Sequence, residues 1–239
     1  MCRMLAAAGR FDVAPLIEGL RAMASNDNPP HRHEYTERGS EYVHADGWGA
    51  VWEEDGRLRT ARGTIPCFDD PALDTLTLIE TDRLVLHARR GTGDAGVSLE
   101  NTHPFAATHM GAEWAYCHNG AVRNTTRLRR PEGLLPRGGT DSELLFLHIL
   151  AGVDPSDIAG SLSTSLGDVA DFTCLNSLLV TGGRVLYAAH PERGTGRPRY
   201  YTLWKGRCDG FSVVSSEPLP GLAAAWEPFR SGVAELTPP

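Results

Sequence analysis

A chain of 239 residues, 41% hydrophobic and 22% charged, has material for one large core or two small ones. Its formal net charge of -7 repels phosphate backbones and anionic lipid, so nucleic acid and membrane surfaces are poor candidate partners. The basic cluster Arg127, Arg129, Arg130 and Arg137, set around Pro131 and Pro136, has the composition of a solvated loop. The five cysteines are Cys2, Cys67, Cys117, Cys174 and Cys208. Their odd number, without a C-x-x-C pair or a signal-like start, argues against a disulfide framework. No apolar run approaches the roughly 18 to 20 residues of a membrane span, and a cytoplasmic location is expected.

In chain order, Cys2 to Ala8 is a short apolar run suited to a buried strand. Val13, Leu16, Ile17, Leu20 and Met23 recur at helical spacing and predict a helix over 13–24. Ser25 to His44 is polar and reads as a long loop of the kind that is usually functional. Trp48 to Glu53 and Leu58 to Arg62 flank Asp55-Gly56, a hairpin signal. A helix is expected over 71–80, and strands over 83–88 and 113–118. Thr140 and Glu143 stand at capping-box spacing before a helix to Ala151. A further helix is expected over 155–166, then strands over 173–181, 184–190, 199–205 and 211–215, the first two joined by Gly182-Gly183. Helices between antiparallel strand groups, without regular βαβ alternation, indicate an α+β fold with antiparallel sheets. No linker or repeat divides the chain, so residues 1–239 read as a single domain.

Several clusters have chemical potential. Cys2 is first of all a small residue opening a strand. Removal of Met1 would place a thiol and a free α-amine on this one residue, the amine with a reference pKa of roughly 7.7 to 8.0, which makes it both nucleophile and base. In Cys117-His118-Asn119-Gly120, the Asn119 amide and the Gly120 N–H are the two donors that an oxyanion hole needs. Asn-Gly is equally a favoured turn dipeptide, and His118 is as readily structural as basic. Arg89, at a strand end before Gly91-Thr92-Gly93, suits a bidentate carboxylate clamp or a plain surface position. No helix follows those glycines, so they form no dinucleotide fingerprint. His87, His103 and His109 lack metal-ligand spacing, so no metal or other cofactor is expected. Asp141 at a helix start caps it and could also hold a ligand ammonium. Asp46-Gly47-Trp48-Gly49 fits either a tight backbone passage beside a site or a turn with a core tryptophan.

Together with Glu-Asn-Thr-His-Pro-Phe over 100–105 and Ser-Ser-Glu-Pro-Leu over 215–219, these motifs resemble, in order, the glutaminase domain of the class II glutamine amidotransferases, within the N-terminal-nucleophile hydrolases. The resemblance spans Cys2 to Leu219. It implies a four-layer αββα sandwich of two antiparallel sheets, with the cysteine opening a central strand. It implies Cys2 as nucleophile with its own amine as base, and Asn119 and Gly120 as the oxyanion hole. Arg89 with Thr92 would hold the substrate α-carboxylate, Asp141 the α-ammonium, and His103 would stand among the substrate-binding residues. Arg90 and Gly93-Asp94 depart from the family pattern, beside the leaving amide and the carboxylate clamp.

The length resembles that of stand-alone members. Some of these serve a partner synthetase; one type, in ergothioneine synthesis, hydrolyses a γ-glutamyl amide. The expected substrate is therefore glutamine or a γ-glutamyl compound, cleaved through a cysteine thioester. His31, His33, Tyr35 and His44 in the long loop suggest recognition on the leaving-group side. From a different class, a catalytically silent glutamine-sensing or synthetase-partner protein remains the alternative.

Overall fold

A computed structural model describes residues 2–29, 42–91, 95–190, 200–223 and 225–239. Its first sheet contains β1 (Arg3–Gly9), β2 (Trp48–Glu54), β3 (Arg57–Gly63), β4 (Arg83–Ala88), β9 (Leu203–Arg207), β10 (Phe211–Ser215) and β11 (Trp226–Phe229). Their order is β11-β9-β10-β1-β4-β2-β3. The second sheet orders β12 (Gly232–Glu235), β8 (Arg184–Ala189), β7 (Asn176–Thr181), β6 (Ala112–Asn119) and β5 (Phe105–His109) side by side. All strand pairs are antiparallel. Among the described residues the α-helices are α1 (Val13–Ala24), α2 (Asp141–Ala151) and α3 (Ile158–Gly167).

The alternation of side chains along a strand sorts the core into layers. From β1, Leu5 and Ala7 pack with Leu16, Ile17 and Leu20 of α1. Met4, Ala6 and Ala8 face the other way and meet Ala115, Cys117, Leu178 and Val180 of the second sheet. Trp114, Tyr116 and Leu179 leave that sheet on its outer face and pack against Phe146, Ile149 and Leu162 of α2 and α3. The result is the expected four-layer αββα sandwich. β1 is buried on both faces, which is why its sequence is an unbroken apolar run after Arg3 instead of an alternating one. Leu16, Ile17 and Leu20 are 0–1% exposed, and burying each contributes about 1.5–3 kcal/mol.

Most elements match the expectations within a few residues, and the differences have local causes. The segment expected as a helix over 71–80 is a 3₁₀ helix, Pro71–Leu78. The helix expected from Pro155 begins at Ile158, because Asp157 caps it by accepting from Gly160 N at 2.9 Å. The strand expected over 199–205 runs Leu203–Arg207 instead. The capping box at α2 is half formed. Thr140 Oγ1 accepts from Glu143 N at 3.2 Å, but the Glu143 carboxylate turns to the backbone amides of Arg137 and Gly138, both at 2.8 Å.

Candidate active site

Strand parity also builds the site. Cys2 precedes β1 in phase with Met4, on the face between the sheets. Asn119 ends β6 in phase with Cys117, and His87 lies on β4 in phase with Val85, opposite Met4 in the register. All three therefore emerge at one end of the inter-sheet layer. Cys2 N donates to Asn119 Oδ1 at 2.8 Å. Asn119 is fully buried, and its Nδ2 has no hydrogen-bond partner among the described residues. Gly120 follows at φ +152, where a Cβ would overlap the Cys174 carbonyl. Glycine is thus required, and the bland turn reading of Asn-Gly is replaced by a close backbone approach.

His103 arrives from the loop before β5. Its carbonyl lies against Gly49, where any Cβ would overlap it. Trp48 is buried and donates to Asp70 Oδ2 at 2.8 Å. Both readings of the Asp46-Gly47-Trp48-Gly49 motif therefore hold, with the tight passage at Gly49 and the core tryptophan at Trp48. Asp46, given no role from the sequence, accepts from Gly91 N at 2.7 Å and so shapes the turn after Arg90.

Spacing along the chain points to no metal cluster, yet the fold brings three ligating side chains together. The donor atoms of Cys2, His87 and His103 all lie within 4.8 Å of one another. They come from three separate segments, so spacing along the chain could not reveal them; His109 is not in the group. The His87 and His103 ring centroids are 4.1 Å apart.

A cleft of about 680 Å³ opens over this end of the sandwich, bordered by Cys2, Arg89, His103, Gly120 and Asp141. Arg89 is buried and donates to the carbonyls of Asp46, Ala95 and Gly96 at 3.2–3.4 Å. Asp141 Oδ2 accepts from Val122 N at 2.6 Å, which holds the carboxylate at the cleft. Asn101 clips the two lips together, accepting from Gly139 N at 2.8 Å and donating to Gly96 O at 3.0 Å. Thr92, His31, His33, Tyr35 and Gly93-Asp94 lie outside the described residues. His44 is fully buried with Nε2 2.9 Å from the Tyr200 hydroxyl. It is a packing residue and no part of a leaving-group surface, contrary to expectation.

Electrostatics single out one thiol. Burial pushes Cys2 up, but the charge of His87, the amino-terminal charge and hydrogen bonds at His87 and the Arg90 backbone outweigh it. The net effect is a fall from 9.0 to about 6. Burial instead raises Cys174 and Cys67 to about 12 and Cys117 well above its ordinary value. Burial holds His103 well below the usual imidazole range, with His87 and His118 adding to the effect. His118 is lowered to about 4, chiefly by burial and against the pull of Asp141. Its Nδ1 is 2.9 Å from Ser142 Oγ and its Nε2 3.0 Å from Cys174 O. With both nitrogens engaged, His118 is structural.

Residues 31–192 match the sequence profile of the family described as glutamine amidotransferases class-II. The chain belongs to this family. Among curated relatives it is similar to YafJ of Escherichia coli (strain K12), whose name assigns it provisionally to the glutamine amidotransferases. The two are 35% identical over 109 residues, 45% of this chain and 42% of YafJ. The protein MJ1515 of Methanocaldococcus jannaschii is 27% identical over 159 residues, 63% of this chain and 44% of that protein. The matched regions thus span less than half the length of these two relatives. Among solved structures, glutamine phosphoribosylpyrophosphate amidotransferase from B. subtilis superposes with a TM-score of 0.70 at 18% identity, over 99% of this chain and 49% of that one. A glutamine aminotransferase class-II domain protein from Silicibacter pomeroyi gives 0.63 at 18% identity, with both chains covered completely. At such identity these two show the fold alone.

Proposed function

We propose that this class II amidotransferase hydrolyses the side-chain amide of glutamine or of a γ-glutamyl compound through a thioester on Cys2. The observation that carries the reading is the pairing of Cys2 N with Asn119 Oδ1 while Asn119 Nδ2 has no partner among the described residues. One amide side chain then positions the nucleophilic residue and retains a buried donor for developing charge. Such preorganised donors are usually the largest catalytic contribution in acyl transfer.

After Met1 is removed, the Cys2 α-amine takes the thiol proton and the thiolate attacks the amide carbonyl. Asn119 Nδ2 and the Gly120 N–H receive the oxyanion. Collapse breaks the C–N bond, and the ammonium passes its proton to the departing ammonia or amine. Water, deprotonated by the same amine, then attacks the thioester, releasing the γ-carboxylate and the thiol. Arg89 pairs with the substrate α-carboxylate, Asp141 with its α-ammonium, and Thr92 and His103 line the same substrate. A synthetase that consumes the released ammonia is a candidate partner.

The test is glutamate release from glutamine and from a series of γ-glutamyl amides, with intact mass confirming loss of Met1. Wild type turns over, Cys2→Ala stays folded and does not, and protein retaining Met1 is inactive. Turnover by Cys2→Ala would overturn the mechanism. Glutamine binding without any turnover in processed wild type would favour a silent sensor.

A further inference from the structure

The cluster at the nucleophile contains more unsatisfied ligating capacity than amide hydrolysis uses. His103 is 4% exposed, and neither of its ring nitrogens has a hydrogen-bond partner among the described residues. His87 is fully buried; its Nε2 lies 3.3 Å from the His118 carbonyl, and apart from the Cys2 thiol that the ring faces its Nδ1 has no partner among the described residues. If that Nε2 donates, Nδ1 is the basic nitrogen. A backbone carbonyl on the far nitrogen is the outer-shell contact that orients most metal-ligating histidines. His118 is itself fixed by Ser142 and Cys174, so this support is rigid.

We propose that Cys2, His87 and His103 form a site for a borderline-soft divalent cation of the zinc class, which occupies the nucleophile and holds the enzyme off while bound. The ligating atoms span at most 4.8 Å. Tetrahedral Zn²⁺, with bonds of about 2.3 Å to sulfur and 2.0–2.1 Å to nitrogen, places its ligands roughly 3.3–3.8 Å apart. Small side-chain shifts therefore close the set. One sulfur and two imidazoles favour zinc, cobalt or copper over magnesium and calcium, whose ligands are oxygens. Once Met1 is gone, the Cys2 amine offers a fourth ligand in a small chelate ring with the thiolate. The cleft that admits substrate supplies the entry path.

Binding is independent of the proposed hydrolysis; only the inhibitory role rests on it. The test titrates Co²⁺ into processed, substrate-free protein and reads the sulfur-to-cobalt charge-transfer band in the near ultraviolet. One equivalent should produce the band and Zn²⁺ should displace it. Cys2→Ser should abolish it, His103→Ala should weaken binding at least about tenfold, and His109→Ala should match wild type. Absence of the band in wild type at saturating Co²⁺, or its survival in Cys2→Ser, overturns the site. These readings need no activity, so a silent protein that shows the band loses the proposed function and keeps the metal site. In a protein that does hydrolyse glutamine, turnover should fall as the band rises and return with a chelator. Full activity at full occupancy would overturn the inhibitory role.

Discussion

Two arginines flank Cys2, both withdrawn from water, and the fold treats them oppositely. Arg3 is 1% exposed, with Nε 2.8 Å from Glu217 Oε1 and its guanidinium 3.9 Å above the Tyr200 ring. The other Glu217 oxygen accepts from Asn28 Nδ2 at 2.7 Å. Arg89 is 3% exposed and donates only to backbone carbonyls; among the described residues no carboxylate pairs with it. A buried charge left unpaired costs several kcal/mol. Pairing makes Arg3 part of the scaffold that anchors the start of β1. With no carboxylate partner among the described residues, Arg89 brings positive charge to the cleft, as the proposed capture of a substrate carboxylate requires.

If the contrast is right, the largest single effect belongs to the scaffold. Glu217→Ala strands the Arg3 charge and should cost about 3–5 kcal/mol. That lowers Tm by roughly 6–20 °C for a domain of this size. The double variant Arg3→Met, Glu217→Leu should lose less than Glu217→Ala, because no orphaned charge remains. Equal losses in thermal melts would show that the pair is not what stabilises this region.

Arg89→Met should reverse the pattern, with a smaller change in Tm but a loss of kcat/KM for free glutamine. A charge-assisted contact worth about 1.5–3 kcal/mol corresponds to roughly ten- to hundredfold. A glutamine analogue lacking the α-carboxylate should be a poor substrate for wild type and no poorer for Arg89→Met. If wild type does not discriminate between the two, Arg89 has another role.

A smaller effect concerns the thiol. The thiolate is the reactive form, so alkylation of Cys2 by iodoacetamide should rise with pH and reach half its maximum near the lowered value of about 6. Removing the His87 charge in His87→Ala should move that midpoint upward. An unchanged midpoint would mean that another group holds the thiol down. The smallest effect belongs to Cys117→Ala, whose side chain lies in the apolar layer between the sheets and whose loss should leave kcat/KM unchanged.

Legibility in the sequence followed the strength of local signals. Asp55-Gly56 and Gly182-Gly183 adopt the positive φ angles that favour tight hairpins, and both turns could be read directly. The β5–β6 hairpin could not, because Met110 occupies the left-handed position at φ 51 before Gly111. β11 was hidden by Pro228, which is tolerated because β11 is an edge strand. The candidate residues Cys2, Asn119 and Gly120 could be identified from motifs. Their convergence with His87 and His103 could not, since it depends on strand register and on the backbone passage at Gly49. The Ser-Ser-Glu-Pro-Leu motif entered the family resemblance with no role assigned to its residues. Its glutamate neutralises Arg3, and Ser216 brackets Met4 through Oγ at 3.0 Å and N at 2.9 Å.

The proposed role of Cys2 is that of a nucleophile presented to a glutamine-shaped ligand. The direct measurement is peptide mass analysis after exposure to a glutamine analogue bearing a diazoketone in place of the amide. The account predicts a single adduct on Cys2 in processed protein, suppressed by excess glutamine and slowed in Arg89→Met. Labelling of another cysteine instead, or glutamine hydrolysis that continues with Cys2 fully modified, would contradict it.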